Sequence, residues 1–225
     1  MIYVMSDIHG NSERFDSVMK QISLGRNDRL YILGDVVDRF PGGITLLRQI
    51  MKMTNVCMLL GNHELMMLKA ADVDKIEKEG RFMRHWYRNG GEVTYHHLCH
   101  LRRSMRREIF DFVLSLPLNL DVEVNGRRYK LVHASPVENY PFAHKEYASL
   151  KEFAVWERWQ PYDPVPEGCT MIFGHTCTKS FQEGYPYSIW KGERAIGIDC
   201  GCGYESGRLA CLRLDDMKEF YSDVG

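Results

Sequence analysis

The sequence predicts an α/β fold in which two packed mixed sheets are flanked by helices, a sandwich that also carries a helical insert. Three observations support this prediction. The first sixty residues alternate apolar runs with amphipathic segments in the order β-α-β-α-β, which packs helices on a sheet. Residues 64–115 are rich in methionine, charge and aromatic residues and are typical of helices. After Cys169, short apolar runs separated by glycines indicate the strands of a second sheet.

The first half of the chain begins with three buried strands. Apolar runs predict these strands at residues 2–5, 30–33 and 56–60. Apolar residues at helical spacing predict a helix over residues 12–22, with Asn11 as its N-cap. A second helix is expected to begin after the glycine pair at residues 42–43.

The second half begins with the helical insert, in which Gly80 and the Gly90-Gly91 pair are expected to separate helices. Asn125-Gly126 is a strong hairpin turn between an alternating strand at residues 118–124 and a partner that runs through Val132. The remaining strands are predicted at residues 170–173, 186–190, 194–198 and 208–214.

We predict a single domain over residues 1–225, with the helical cap insert at roughly residues 64–115. The length would permit two domains. However, the candidate metal ligands described below extend from residue 7 to residue 175, so a domain boundary would cut through the site.

Composition indicates an ordinary globular protein that has no general affinity for polyanions. The chain has 29 basic and 30 acidic residues, a net charge of −1, so we expect neither a nucleic-acid partner nor a membrane partner. There is no apolar stretch long enough to span a bilayer. The first strand begins at residue 2, so we expect no signal peptide, a cytoplasmic location, and seven cysteines that are mostly reduced.

Five of the apolar runs end at side chains that can bind a metal ion, usually beside a glycine. The candidate ligands are Asp7, His9, Asp35, Asn62, His133 and His175. Sites in layered α/β folds form just outside the carboxyl ends of strands, so these side chains are expected to converge. Two carboxylates, one amide oxygen and three imidazoles suit two divalent ions of the manganese, iron or zinc kind.

The motifs differ in how specific they are. A lone Asp or His at a strand end most often caps a helix or forms a turn. The Gly34-Asp35-x-x-Asp38-Arg39 motif is more informative, and we assign Asp35 as the carboxylate that bridges two ions roughly 3.5–4 Å apart. Gly61-Asn62-His63-Glu64 is the most specific element, because it places an amide, an imidazole and an acid directly after a buried strand.

This ordered set resembles the phosphoprotein phosphatase family of calcineurin-like metallophosphoesterases, and in particular its compact bacterial and phage members. The motifs are Asp7-Ile8-His9-Gly10, Gly34-Asp35-Val36-Val37-Asp38-Arg39, Gly61-Asn62-His63-Glu64, His133 and Gly174-His175-Thr176. The resemblance covers nearly the whole chain in order. Trp156-Glu157-Arg158 and the segment from Asp199 to Gly203 are similar to later segments of that family.

The resemblance implies two divalent ions, with manganese as the first choice and iron, zinc or nickel as alternatives. It implies that Asp7, His9 and Asp35 bind the first ion. The ligands implied for the second ion are Asp35, Asn62, His133 and His175. A hydroxide bridging the two ions is then expected to attack phosphorus.

The same resemblance implies the remaining site residues. Arg39 and Arg158 are expected to bind phosphoryl oxygens, and Asn62 is expected to contact the substrate as well as a metal ion. His63 is expected to protonate the leaving oxygen, with Asp38 holding its orientation.

The function implied is a metal-dependent phosphatase acting on phosphoserine and phosphothreonine in a protein or peptide. A symmetrical dinucleoside tetraphosphate hydrolase remains the main alternative, because it resembles the same motifs. A phosphodiesterase is less favoured, since Cys177 occupies a position where diesterases of this superfamily usually carry a second histidine. A non-enzymatic binding module would be expected to have lost ligands, and all are present here.

Two further residues near the motifs, Phe40 and Cys177, are expected to affect the pocket or its regulation. Phe40 stands where the family usually has glycine, so we expect an altered loop and a narrower pocket. Cys177 follows the last metal motif closely, and its oxidation would be one means of regulation.

Overall fold

The computed structural model describes residues 1–74 and 80–223. Its strands, numbered in chain order, are β1 (Ile2–Met5), β2 (Arg29–Ile32), β3 (Val56–Met58), β4 (Asn119–Val124), β5 (Arg127–Val132), β6 (Thr170–Phe173), β7 (Trp190–Lys191), β8 (Ala195–Gly197), β9 (Ala210–Arg213) and β10 (Lys218–Tyr221). Its α-helices are α1 (Ser12–Ile22), α2 (Gly43–Ile50), α3 (Asn62–Ala70), α4 (Arg81–Arg88), α5 (Glu92–Cys99), α6 (Arg103–Ser115) and α7 (Leu150–Trp156).

The strands form two mixed sheets of five strands each. The first has the order β10-β9-β1-β2-β3, with β1, β2 and β3 parallel and β9 antiparallel to both of its neighbours. The second has the order β4-β5-β6-β8-β7, with β5, β6 and β8 parallel and an antiparallel strand at each edge. The predicted fold class, two mixed sheets flanked by helices, is confirmed.

Strand β1 is buried on both faces, to which its successive side chains point alternately. Val4 in β1 packs toward the second sheet, in one cluster with Leu131 and Ile172. Its neighbours Tyr3 and Met5 belong to the cluster that contains apolar residues of α1 and α2. Burial on both sides explains why β1 reads as a continuous apolar run rather than an alternating one.

The helical insert lies between β3 and β4 and contains α3 to α6. Gly80 and the Gly90-Gly91 pair separate helices within it, as predicted, while residues 75–79 of the predicted insert lie outside the described residues. Trp86 is fully buried, and a Cβ on Gly91 would come within 2.3 Å of its indole ring. Glycine is therefore required there for the insert to close over this tryptophan.

Several predicted elements differ in extent from the structure. The strand predicted at residues 186–190 is reduced to β7, which begins only at Trp190, and the strand at 208–214 is shorter at both ends. The helix N-cap at Asn11 is confirmed, since its side chain accepts a hydrogen bond from the Arg14 amide.

The single domain over residues 1–225 stays a prediction. Across residues 1–74 and 80–223, no helix has both the length and the apolar character needed to span a bilayer.

Candidate active site

The candidate site lies at the carboxyl ends of β1, β2, β3, β5 and β6, where the loops turn sharply. Six site residues have left-handed backbone, with φ of 55° at Asp7, 51° at His9, 54° at Asp35, 72° at Asp38, 69° at Arg39 and 60° at His175. Such values are uncommon for residues other than glycine, and they persist only where the surroundings enforce them. These turns direct the side chains of separate strands toward one cavity.

Asp7, His9 and Asp35 form the first group of potential ligands. His9 Nε2 lies 3.8 Å from Asp7 Oδ1 and 3.8 Å from Asp35 Oδ2. The other ring nitrogen of His9, Nδ1, is 3.3 Å from the carbonyl oxygen of Val37, which assigns the ring proton to Nδ1. The Nε2 lone pair therefore faces the two carboxylates.

The second group shares Asp35 with the first. Asn62 Oδ1 lies 2.9 Å from His133 Nε2 and 2.8 Å from His175 Nδ1. His133 Nε2 is also 3.6 Å from Asp35 Oδ1. All six predicted ligands thus converge, and Asp35 offers one oxygen to each group.

The chemistry of the second group fits a cation. His133 Nδ1 contacts the Leu33 carbonyl oxygen at 2.6 Å and donates its proton there, so Nε2 presents a lone pair to the lone pairs of Asn62 Oδ1. Burial lowers the pKa of His133 and of His175, so both rings are neutral near pH 7. Acceptors that face one another in this way repel unless a cation lies between them. In addition, His175 Nε2 is buried without a hydrogen-bond partner among the described residues.

The first group also concentrates negative charge. Burial, and then the charges of Asp199 and Asp35, raise the pKa of Asp7 well above its usual range. Asp35 belongs to the same buried cluster, and the His63 backbone amide donates a hydrogen bond to its Oδ1 at 2.9 Å, which favours the ionised carboxylate. Buried carboxylates this close are costly unless positive charge compensates them. Their oxygens, together with imidazole nitrogens, suit manganese, iron or zinc.

Asp38 and His63 form a buried pair beside these groups. His63 Nδ1 lies 2.7 Å from Asp38 Oδ2, and His63 Nε2 lies 3.9 Å from Asp35 Oδ2. Burial lowers the pKa of His63, but Asp35 and Asp38 outweigh it and leave the pKa raised. His63 could join His9 and Asp35 as a metal ligand on distance alone. The Arg39 guanidinium, 3.4 Å from Nε2, disfavours a metal ion at that nitrogen.

Two arginines line the same cavity, whose volume is about 210 Å³. Arg39 lies 5.0 Å from the ring centroid of Tyr204, and Arg158 Nη1 donates to Thr176 Oγ1 at 3.4 Å.

Phe40 does not line this cavity. It faces a separate depression near Asn11, so the expected narrowing of the pocket by Phe40 is not seen.

Several residues at the site were not among the predicted site residues, and four of them make informative contacts: Glu64, Trp86, Asp199 and Tyr204. The Glu64 carboxylate accepts hydrogen bonds from four backbone amides, those of Asp35, Val36, Val37 and Gly61. At the start of α3, Glu64 accepts from the amide of the N-cap residue Gly61, which is the glutamate half of a capping box, and this spacing could have indicated its role.

Asp199 and Trp86 carry weaker signals in the sequence. Asp199 follows β8, accepts a hydrogen bond from the Gly201 amide at 2.9 Å, and has a pKa that burial raises to about 6. The sequence feature that could have indicated a site role for Asp199 is its position near the end of a strand, directly before Cys200-Gly201. Trp86 reaches the site from the insert, and nothing in the local sequence indicates that contact.

Cys177 is 8% exposed, and burial raises the pKa of its thiol to about 12. A protonated, buried thiol reacts slowly with oxidants, so the structure does not favour regulation through Cys177.

A sequence model described as calcineurin-like phosphoesterase matches residues 1–190 of the chain. The chain belongs to the calcineurin-like phosphoesterase family. Members of this family use divalent metal ions, in agreement with the two groups of potential ligands in this structure.

The individual relatives of this phosphoesterase include enzymes with two different activities. Serine/threonine-protein phosphatase 2 of Escherichia coli (strain K12) is 28% identical over 228 residues, which cover 95% of this chain and 92% of that protein. The symmetrical bis(5'-nucleosyl)-tetraphosphatase of Wigglesworthia glossinidia brevipalpis is 37% identical, but over only 82 residues, 35% of this chain and 30% of the relative.

Solved structures agree on the fold. A putative diadenosine tetraphosphatase superposes with a TM-score of 0.63 at 16% identity, covering 98% of this chain and 91% of the other. A protein serine/threonine phosphatase from Saccharomyces cerevisiae, described as similar to human phosphatase PP5, gives 0.59 at 15% identity, covering 98% and 78%. At these identities the similarity concerns the fold alone.

Proposed function

We propose that this phosphoesterase is a phosphomonoesterase that hydrolyses phosphoserine and phosphothreonine in proteins, with two divalent ions, preferably manganese. The observation that carries the proposal is that Arg39, Arg158 and His63 line one cavity of about 210 Å³ together with four of the six proposed ligands, Asp7, Asp35, Asn62 and His175. A cavity of this size suits a terminal phosphoryl group. The relative that is similar over almost the whole chain is a serine/threonine phosphatase.

Asp7, His9 and Asp35 would hold one ion, and Asp35, Asn62, His133 and His175 would hold the second. When bound, such ions supply Lewis acidity to water and to the phosphoryl oxygens.

The arginines bind and orient the phosphoryl group. A guanidinium donates two hydrogen bonds in one plane, which matches two non-bridging oxygens, and it stabilises the charge that develops on them. Tyr204 packs against Arg39 and limits its motion, while Thr176 contacts Arg158. Asn62 offers its amide nitrogen as a further donor toward the substrate.

His63 supplies the proton that the leaving oxygen requires. As the P–O bond of phosphoserine breaks, the serine oxygen gains negative charge, and a proton from His63 Nε2 converts it to a hydroxyl. Asp38 lies 2.7 Å from Nδ1 of the same ring, so it fixes the ring orientation and stabilises the protonated imidazole. Raising the pKa of His63 keeps this proton available near neutrality.

A symmetrical dinucleoside tetraphosphatase is the second candidate. It is favoured by the 37% identity of the Wigglesworthia glossinidia brevipalpis tetraphosphatase over 82 residues. With the first function we also propose that the partner is a phosphorylated protein or peptide and that the enzyme acts in the cytoplasm. We propose no nucleic-acid or membrane partner.

The test is a panel of substrates assayed with added manganese: phosphoserine, phosphothreonine and phosphotyrosine peptides, diadenosine tetraphosphate, and bis(4-nitrophenyl) phosphate as a diester. We expect the highest kcat/KM on the phosphoserine or phosphothreonine peptide. A kcat/KM on diadenosine tetraphosphate that exceeds every peptide would contradict the proposal and favour the second candidate.

A further inference from the structure

A second cavity, about 670 Å³ in volume, lies between α4 of the insert and the segment that leads into α7. We call it the basic groove. The residues that define it here are Lys69, Arg81, Arg84, Arg88, Lys145 and Trp156.

The basic groove concentrates positive charge in a chain whose net charge is −1. Its described lining has five lysine and arginine side chains and two acidic ones, Glu146 and Glu152. Glu152 pairs with Lys69. The remaining cations outnumber Glu146, so the groove is complementary to a negatively charged ligand.

The spacing of residues on α4 explains why the cations share one wall. Arg81, Arg84 and Arg88 are three and four residues apart, which places them on one face of a helix. Met83 and Trp86 are buried on the opposite face and hold the helix against the rest of the insert. The basic face is therefore directed toward the groove.

A pKa shift on the same wall agrees with this charge distribution. Burial, and then the positive charges of Lys69, His63 and Arg88, lower the pKa of His85. His85 contacts Trp156, with ring centroids 5.5 Å apart.

The basic groove adjoins the catalytic cavity. Trp156 lines both cavities, and its ring centroid is 5.8 Å from that of His175. On the other wall Arg88 lines the groove, and the next residue, Asn89, lines the catalytic cavity. A chain whose phosphorylated residue occupies the catalytic cavity can thus place its neighbouring residues in the groove.

We propose that the basic groove binds the acidic residues that flank the phosphorylated residue of a peptide substrate, and so selects acidic phosphorylation sites. This inference rests on the proposed function, because it requires a peptide substrate. Phe82, Tyr147 and Trp156 also line the groove and would contact the apolar parts of the same peptide.

The experiment compares three phosphoserine peptides that differ only in whether the flanking residues are Glu, Gln or Lys. For the wild-type enzyme with manganese at low salt, we expect kcat/KM for the Glu peptide to exceed that for the Lys peptide by at least about tenfold, since a few exposed charge pairs add up to this factor. The ratio should fall toward one at about 1 M salt, where the screening length is about 3 Å.

A charge-reversed enzyme tests the groove itself. Arg84→Glu combined with Lys145→Glu changes one cation on each wall. We expect this variant to gain activity on the Lys peptide and to lose it on the Glu peptide, so that the preference inverts. A gain on one substrate also shows that the variant is folded. The matched control is Lys52→Glu with Arg127→Glu, which has the same change in net charge at exposed residues outside both cavities, and it should keep the wild-type ratio.

The outcomes separate this inference from the function on which it rests. Equal kcat/KM on all three peptides, or a Glu preference that survives Arg84→Glu/Lys145→Glu, would overturn the groove assignment and leave the phosphatase proposal intact. Failure to hydrolyse any of the three peptides, with turnover of diadenosine tetraphosphate, would overturn both. If the double variant were inactive on every peptide, the salt dependence of the wild-type kcat/KM ratio would be the deciding measurement. A Glu preference that did not fall toward one at high salt would then overturn the groove assignment.

Discussion

Trp86 Nε1 donates a hydrogen bond to Asp38 Oδ2 at 2.8 Å, and the same oxygen lies 2.7 Å from His63 Nδ1. The helical insert thus reaches the proposed proton donor through one carboxylate oxygen. Trp86 is fully buried, so this contact is shielded from water and holds Asp38 in one orientation. The other oxygen, Oδ1, is buried and has no partner among the described residues, which makes the Trp86 contact more important for placing the carboxylate.

Trp86→Phe should therefore impair proton donation more than phosphoryl binding. We expect kcat on a phosphoserine peptide, whose leaving oxygen is strongly basic, to fall about tenfold, which is less than the roughly 10²- to 10⁴-fold effect of losing the general acid itself. Turnover of 4-nitrophenyl phosphate, whose leaving group needs no proton, should change much less. The measurement is the ratio of the two rates. Trp159→Phe, at a buried tryptophan outside the catalytic cavity, is the control. An equal loss on both substrates in Trp86→Phe would mean that Trp86 only supports the fold.

His63→Ala should keep both metal ions and lose a factor of about 10² to 10⁴ in turnover of a phosphoserine peptide, because it removes the proton donor and leaves every proposed ligand in place. Metal content and turnover are measured on the same preparation. Unchanged turnover at unchanged metal content would exclude His63 as the acid, and loss of a metal ion would instead favour it as a ligand.

Asp35→Asn should lose metal and activity together. Asp35 presents Oδ2 to His9 and Oδ1 to His133, so its charge is shared between both groups of ligands. Metal content after dialysis is the measurement, and Asp16→Asn on the exposed face of α1 is the matched control. Full metal occupancy in Asp35→Asn would refute the bridging role.

Glu64→Ala should destabilise the fold. Its carboxylate accepts hydrogen bonds from the amides of Asp35, Val36, Val37 and Gly61, and all four donors would be left without this partner. We expect a loss of about 2–4 kcal/mol in the free energy of unfolding, measured with urea on the metal-free protein.

Glu92→Ala provides the comparison for Glu64→Ala. Glu92 is also in the first turn of a helix but is exposed. Its removal should cost less than about 1 kcal/mol. Similar losses in the two variants would show that the network of amide hydrogen bonds around Glu64 contributes little.

Much of the fold and all six proposed ligands could be predicted from the sequence. β1 is buried on both faces, and β2 and β3 bury Leu30, Ile32 and Met58, so apolar runs marked all three strands. Each proposed ligand lies within four residues of the end of a strand. The hairpin turn at Asn125-Gly126 was equally clear, and both residues have positive φ. In each case a local pattern carried the information.

Other elements were missed because their patterns are short or mixed. β10 has four residues, lies at the edge of its sheet, and begins with the charged pair Lys218-Glu219, so no apolar run marks it. Helix α7 has only two turns, although Ser149 and Glu152 at its start form a capping pattern that could have indicated it. The contact of Trp86 with Asp38 and the basic groove depend on how the insert folds back, which local sequence does not reveal.

The central claim is that six side chains from separate loops hold two divalent ions. The most direct measurement is the number of manganese ions bound per chain in the dialysed, reconstituted enzyme, combined with the electron paramagnetic resonance spectrum of the bound metal. We predict two ions per chain, a spectrum of two exchange-coupled manganese ions, and loss of phosphatase activity on chelation that manganese restores. One uncoupled ion, or full activity after complete removal of metal, would contradict the account.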